Sequence, residues 1–437
     1  MNKTALIAVA YSAGRDSTAL LHATWRAAQA QGGLEVLALH VHHGLSAHAD
    51  DWLGHAQQQC STWAQDGAPL RFQFERLSTR PARGESIEAW ARKARYRALA
   101  DMAHRAGAAV VLLAHHRQDQ AETFLLQALR GAGVAGLAAM PAQVQRGGIL
   151  WCRPWLQQPR EAIEHYVRLH RLAYVDDDSN SDSRFARNRL RQEVWPALLQ
   201  SFPQAQETLS DAATWAAQAH ELLQEQAQHD LALLGASDAS LPLAVWATLS
   251  LPRRSNALRS WVLAASGQAA SSTLVQRLLL ELPGVPKKGR ASWPHASGSL
   301  RQYRGRLTWQ ADVASVATQS QPPPETQLRV RRAGVYRLPG WGGQLRVQRV
   351  AQGGVPMAWL GELALLPRTG GEQFQAGLGR PPRSLKKQFQ AAAVPEWERG
   401  GPLVYSGGQL VFVPGLGLDA RVLALPGQPQ AMLFWER

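Results

Sequence analysis

The chain has 437 residues, 45% hydrophobic and 18% charged, which excludes a disordered polymer and allows two or three domains with their own cores. No apolar run is long enough to span a bilayer, and two cysteines, Cys60 and Cys152, exclude a disulfide framework or a four-thiolate zinc site. The formal net charge of +14 excludes a chain that would repel polyanions; only Lys3, Lys93, Lys287, Lys288, Lys386 and Lys387 are lysines, so the excess rests on arginine, which forks onto phosphate and stacks on bases and makes RNA a candidate partner, while the alternative of a GC-rich compositional bias explains the Arg-to-Lys ratio but not the net positive excess.

The first element is Ala5–Tyr11, an apolar run that reads as a buried strand, and nothing before it has the pattern of a signal peptide. A cytoplasmic address with no membrane partner is expected. The strand breaks at Ser12-Ala13-Gly14-Arg15-Asp16-Ser17, and a helix over Ser17–Gln31 follows. Such a turn leaves amide N–H groups unpaired beside the positive end of a helix dipole, which makes an anion site suited to polyphosphate. It is not a Walker A loop, because no Gly-Lys-Ser/Thr follows, nor a dinucleotide G-x-G-x-x-G. The plainer alternative is an ordinary strand–helix turn with Asp16 or Ser17 near the N-cap.

Further strands are expected at Leu34–His42, Leu70–Arg76 and Ala109–His115, and helices at Ala47–Gln65, Ser86–Arg105 and Gln118–Arg130. Apolar strands alternating with helices predict an α/β fold with a doubly wound parallel sheet, whose ligands bind beyond the carboxyl ends of the strands. Ser12–Ser17, His40–Gly44 and His115–Glu122 all fall at that edge. Arg160–Leu199 is helical in pattern, interrupted by Asp176 to Asp182, and Ser201 to about Leu282 is helical again, with Arg253, Arg254 and Arg259 clustered. Ala311–Gln327, with Pro322 to Pro324, reads as a linker, and the Gly- and Pro-rich remainder as a small α+β domain. The expected domains are therefore 1–200, 201–310 and 328–437, joined by a linker at 311–327.

The opening turn resembles the S-G-G-x-D-S loop of the PP-loop ATP pyrophosphatases, which split ATP into AMP and pyrophosphate, with Ala13 in place of the first glycine. An ordered series of further blocks narrows the likeness. It includes His40-Val41-His42-His43-Gly44-Leu45, Ala91-Arg92-Lys93-Ala94-Arg95-Tyr96, Leu113 to Leu126 (LAHHRQDQAETFLL), Asp178-Ser179-Asn180 and Arg187-Asn188-Arg189-Leu190-Arg191. In the tail stand Arg368 to Glu372, Leu385-Lys386-Lys387-Gln388-Phe389, Val394-Pro395-Glu396-Trp397 and Val413-Pro414-Gly415. Together they resemble the tRNA(Ile)-lysidine synthetase family. That resemblance implies a ligase that uses ATP to adenylate the wobble cytidine of an isoleucine tRNA with a CAU anticodon. Free L-lysine then attacks C2 and expels AMP.

The resemblance also implies roles. Ser12, Ala13, Gly14, Arg15, Asp16 and Ser17 would bind ATP, with Asp16 a ligand to Mg²⁺ and His40 packing near the adenine or its ribose. Asp119 and Glu122, three apart on one helix face, would hold the substrate lysine, against the alternative of a solvated face that favours the helix N-terminus. Arg187, Asn188 and Arg191 would lie near the reacting phosphate, with Arg187 and Arg191 catalytic. Arg92, Arg95, Arg253, Arg254, Arg259, Lys386 and Lys387 would grip tRNA, each with a plain surface-charge alternative. His40, His42 and His43 cannot all face one way on a strand, so no transition metal is expected. Two other classes compete: a PP-loop tRNA thiolase, disfavoured because no C-x-x-C exists, and a non-catalytic RNA-binding relative, raised only by Ala13. The oligomeric state is open, a homodimer included.

Overall fold

Ala5–Ala10 (β1) lies in the middle of the N-terminal sheet, and its second half, Ala8, Val9 and Ala10, is buried. It is followed by Arg15–Gln31 (α1), Leu34–His42 (β2), Ala49–Gln65 (α2), Leu70–Arg76 (β3), Ile87–Ala106 (α3), Val110–Leu112 (β4) and Arg117–Leu129 (α4). After a short helix, Val134–Leu137 (α5), come Gln143–Arg146 (β5) and Ile149–Cys152 (β6). The structure is a computed structural model and describes residues 5–44, 46, 48–77, 87–176, 186–237, 239–284, 291–311, 325–392, 394 and 399–436. It divides into two compact units, Met1–Glu225 and Gln226–Arg437.

The strand order is β3-β2-β1-β4-β6-β5. β1 pairs in parallel with β2 on one side (Ala5 opposite Leu34) and with β4 on the other (Ile7 opposite Val110). The order reverses between β1 and β4, and the crevice beyond the carboxyl ends of strands at such a switch point is where doubly wound sheets bind ligands. The turn after β1 and the start of α4 after β4 flank that crevice.

One core packs α1 and α2 onto the sheet through Val9, Leu20, Leu21, Ala56 and Cys60. The other packs α3 onto the opposite face through Ala8, Leu39, Leu99, Met102 and Trp151. The expected parallel sheet carries one antiparallel strand at its edge. β5 runs antiparallel to β6 at the edge, joined at Gly147 and Gly148, whose φ angles of 60° and 77° suit a two-residue hairpin turn. The strand expected over Ala109–His115 is also shorter, and its last residues enter the site.

Arg160–Leu169 (α6) packs Ile163 and Val167 against Ala19 of α1. Ala186–Arg189 (α7) then widens into a π turn at Leu190–Val194 before Trp195–Ser201 (α8). The widened register precedes Pro196, which has no amide hydrogen and whose ring crowds the carbonyl of Gln192 in an ordinary helix. Leu190 and Trp195 bury themselves against Ala121 of α4, which brings the π turn alongside that helix.

In the second unit, helices Leu251–Ser266 and Ser272–Glu281 share a core with Trp246, Trp261 and Trp293. The middle section is not purely helical. Ala291–His295, Gly298–Tyr303 and Arg306–Ala311 form an antiparallel sheet. The tail carries antiparallel sheets and one helix, Leu385–Ala391. No helix among the described residues is long and apolar enough to cross a membrane. Leu45, Asp177 to Asp182 with the Asp178-Ser179-Asn180 block, Lys287, Lys288, Pro322 to Pro324, and Pro395 to Trp397 lie outside the described residues.

Candidate active site

The turn after β1 is tied together by its own hydroxyls. Ser17 Oγ donates to the Gly14 carbonyl at 2.9 Å, so Ser12 Oγ is the donor in their mutual contact at 3.0 Å. Ser12 N–H also donates to Ser17 Oγ at 3.1 Å. Ala13 is fully buried and adopts φ +65°, the left-handed backbone that glycine adopts without cost. Its carbonyl accepts from the Val175 amide at 2.9 Å, which pins the loop in that shape. Gly14 is the N-cap residue of α1, and no acceptor among the described residues takes the amides of Arg15, Asp16 and Ser17. Three free amides at a helix start form an anion cradle.

Asp16 is therefore not the N-cap; it sits at the second helical position. Its carboxylate accepts from Arg15 Nε at 3.1 Å and lies 3.7 Å from His116 Nε2. Burial pushes the Asp16 pKa up, but His116 and Arg15 outweigh it and hold the carboxyl below its usual range. Arg15 also donates to Glu164 at 2.6 Å, so its guanidinium is committed to α6. His40 is 4% exposed and its Nδ1 lies 3.0 Å from the Tyr11 carbonyl. Burial drives its pKa down to about 4, so the ring is neutral and donates that proton.

Across the crevice, Asp119 and Glu122 face the same way from the first turns of α4, as their spacing requires. Asp119 accepts from the His116 amide at 3.1 Å, so it also caps its own helix. His116 Nε2 stands 3.5 Å from Asp119 and 3.7 Å from Asp16, bridging the two carboxylates. Burial alone would lower the His116 pKa; Asp16, Asp119 and Glu122 raise it above the ordinary value.

Arg191, delivered by the π turn, closes on the pair. Its Nη2 donates to Asp119 at 2.9 Å and its Nε to Glu122 at 2.7 Å. Glu122 has no exposed surface, accepts a further bond from Gln118 at 2.9 Å, and leaves Oε2 without a hydrogen bond. Arg187 approaches that oxygen at 3.7 Å while donating to Thr123 at 2.8 Å. Burial would raise the Asp119 carboxyl, but His116, His115, Arg191 and Arg187 hold it low. Asn188 is buried beside them, 9% exposed. The structure thus joins Asp16, Asp119, Glu122, Arg187 and Arg191 in one network. Thr123 and Glu164 were missed as members, and His116, expected only as site lining, takes a bridging place that the His-x-x-Asp spacing at a helix start could have signalled.

The outlying arginines differ among themselves. Arg92 lies 5.5 Å from the Tyr96 ring centre and lines a cavity with Arg95. Arg253 is bonded to the fully buried Asp230, including contacts from Nε to both carboxylate oxygens at 3.2 Å. Arg254 packs over Trp246. Arg259, Lys386 and Lys387 are exposed.

No group of three His, Cys, Asp or Glu able to hold a metal occurs among the described residues. That arrangement still suits Mg²⁺, which is held by one or two carboxylates plus substrate phosphates. Asp16, partly exposed at the mouth of the phosphate cradle, is a hard oxygen donor of the right kind.

A PP-loop domain model matches residues 2–198, a TilS substrate binding domain model residues 241–308, and a TilS substrate C-terminal domain model residues 363–435. The chain is 40% identical to the tRNA(Ile)-lysidine synthase of Burkholderia mallei, over 94% of this chain and 89% of that protein. It is 41% identical to that of Ralstonia nicotianae over 96% and 90%. With that of Yersinia pseudotuberculosis it shares 32% identity over 99% and 96%. The chain belongs to the tRNA(Ile)-lysidine synthase family.

Proposed function

We propose that the protein ligates free L-lysine to C2 of the wobble cytidine of tRNA(Ile) with a CAU anticodon, consuming ATP and releasing pyrophosphate and AMP. One observation carries this reading: the phosphate cradle and the Asp119–Glu122 pair face one crevice at the switch point, joined through Asp16, His116 and Asp119. A reaction that first activates a base with ATP and then admits an amine needs both halves within reach of one cytidine.

The free amides of Arg15, Asp16 and Ser17 bind the polyphosphate of ATP. Asp16 would hold Mg²⁺ there, and the ion would supply charge neutralisation for the polyphosphate. Attack by the cytidine O2 on the α-phosphorus expels pyrophosphate and leaves an adenylated base. The ε-ammonium of lysine passes one proton to the Asp119–Glu122 pair, the freed amine adds at C2, and AMP leaves. Asp119 and Glu122 hold the ammonium groups of lysine. Because Arg191 already neutralises that pair, lysine binding requires Arg191 to give up at least one carboxylate. The released guanidinium then stands free for phosphate charge, the role also given to Arg187 and Asn188. His40 keeps the floor of the nucleotide site in place through Tyr11.

Residues 1–200 form the catalytic domain, and 201–310 and 328–437 hold the tRNA. Of the residues assigned to that grip, Arg259, Lys386 and Lys387 are exposed and form no ion pair among the described residues. Arg253 and Arg254 act by shaping the surface, through Asp230 and Trp246. The work is done in the cytoplasm, where tRNA is modified. Sulfur transfer is disfavoured by the thiols: burial pushes Cys60 up to about 12 and raises Cys152 as well, so neither is a ready thiolate.

The test is incubation with ATP, Mg²⁺, labelled lysine and unmodified tRNA(Ile). Label should enter the RNA with stoichiometric AMP and pyrophosphate. Unlabelled RNA under conditions that support sulfur transfer would overturn the reading.

A further inference from the structure

A cavity of about 220 Å³ opens beside the carboxylate network, walled by His43, Arg92, Arg95, Tyr96, Leu113 and His115. It is basic. Burial and the like charge of Arg92 push the Arg95 guanidinium below its ordinary pKa. No carboxylate among the described residues forms an ion pair with Arg92 or Arg95. Arg153, 7% exposed, reaches Tyr96 OH at 3.5 Å from behind. The buried Nδ1 of His115 has no hydrogen-bond partner. A desolvated cation without a counter-ion is costly to keep, and an anionic ligand removes that cost.

His115 is the shared wall. It lies within the field of Asp119 on one side and of Arg153, Arg95 and Arg92 on the other. The acidic pair and the basic cavity are thus neighbours, the arrangement that a zwitterionic amino acid needs. Leu113 and Leu99 offer apolar surface for methylene groups between the charged ends. The volume falls below the roughly 300–1,000 Å³ of sites for drug-sized ligands, which favours a carboxylate with a short chain over a nucleotide.

We infer that the Arg92–Arg95 cavity receives the α-carboxylate of the amino-acid substrate, and that this cavity, not the Asp119–Glu122 pair, distinguishes lysine from a plain diamine. The inference rests on the function proposed above and assigns these arginines a small ligand in place of the tRNA phosphate expected from sequence. Carboxylate oxygens match the guanidinium fork, and a diamine of the same length offers nothing to it.

The experiment compares lysine with cadaverine, which is lysine without its carboxylate. In wild-type enzyme the KM for lysine and the inhibition constant of cadaverine against lysine are measured with saturating ATP and tRNA. Arg95→Gln should raise the lysine KM by about tenfold or more, the loss of one charge-assisted contact, and change the cadaverine constant by less than about threefold. Arg95→Lys should recover part of the lysine KM. The affinity for tRNA, measured separately by filter binding, should not move. If both constants shift together, or if tRNA affinity falls while the lysine KM holds, the cavity is not the carboxylate site. Failure of the wild-type enzyme to incorporate lysine at all would instead sink the proposed function, so the two failures are distinguishable.

Discussion

Arg191 clasps Glu122 from 69 residues away, donating Nε to Oε1 at 2.7 Å, and the same guanidinium reaches Asp119 at 2.9 Å. The protein's own cation thus fills the position proposed for the substrate's cation. Removing it leaves Glu122, which has no exposed surface, with the Gln118 hydrogen bond and the more distant Arg187 at 3.7 Å. Arg191→Met should therefore cost about 3 kcal/mol in urea denaturation, at the low end for breaking a buried pair. Adding Glu122→Gln should recover part of that loss. Free lysine should stabilise Arg191→Met more than wild type, because an ammonium that binds only the native state raises its stability by mass action. Unchanged stability in Arg191→Met would mean that the clasp is incidental.

The carboxylate pair was legible because helix periodicity puts Asp119 and Glu122 on one face wherever α4 lies. The clasp was not. It depends on a π turn that Pro196 provokes and on Leu190 and Trp195 packing against Ala121, contacts between segments far apart in sequence. The parallel sheet was legible from four apolar runs, and its antiparallel edge could have been, since Gly147-Gly148 between QVQR and ILWC is a hairpin signal. Arg253 illustrates the opposite case: a basic cluster reads as an RNA grip until folding supplies Asp230.

Ala13 has φ +65° and a fully buried methyl group. The left-handed backbone costs an alanine roughly 1–2 kcal/mol. Glycine escapes that cost but pays roughly 0.4–1 kcal/mol in unfolded-chain entropy and forfeits a buried methyl worth about 0.8 kcal/mol. Ala13→Gly should therefore stay within about 1 kcal/mol of wild type by urea midpoint. Ala13→Val, β-branched at positive φ, should lose about 2 kcal/mol or more. Equal stability of the valine and glycine variants would show that the loop does not hold this backbone.

Asp16 and Asp119 are held ionised by shared neighbours, yet they should fail differently. Asp16→Ala should abolish pyrophosphate release, because the cradle loses its oxygen donor for Mg²⁺. Asp119→Ala should retain pyrophosphate release and raise the lysine concentration needed for ligation. Melting curves control for the capping bond that Asp119 makes to His116. The role assignment fails if both variants lose both partial reactions in proportion to their lost stability.

His40 predicts a pH dependence of stability. Its folded pKa is lowered to about 4 by burial, against 6.5 for the free side chain. Above pH 6.5 neither state is charged. As pH falls from there, the unfolded chain takes up a proton that the native ring refuses, so stability drops until pH reaches the folded pKa. Integrated over that window, the loss attributable to His40 is on the order of 3 kcal/mol. His40→Gln keeps a donor for the Tyr11 carbonyl and removes the titration. Denaturation midpoints of wild type and variant should diverge between pH 6.5 and pH 4, wild type falling faster, and parallel curves would contradict the buried neutral ring.

The tail helix Leu385–Ala391 sorts its residues by exposure: Leu385, Gln388 and Phe389 are buried, and Lys386 and Lys387 are exposed. Two nearby arginines are already engaged. Arg368 and Arg399 stack over Phe389 with their guanidinium carbons at 4.5 Å and 5.1 Å, and Arg399 also donates to the Val394 carbonyl at 3.0 Å. The lysines are therefore more open than those two arginines to displace counter-ions from tRNA. Each phosphate contact contributes a slope of roughly 0.7–0.9 in log affinity against log salt, so replacing both lysines with glutamine should flatten the plot by about 1.5. Arg253→Gln should behave oppositely, lowering stability by removing the counter-ion of Asp230 while leaving the slope unchanged. A salt slope that ignores the lysines and follows Arg253 would move the RNA grip from the tail to the middle helices.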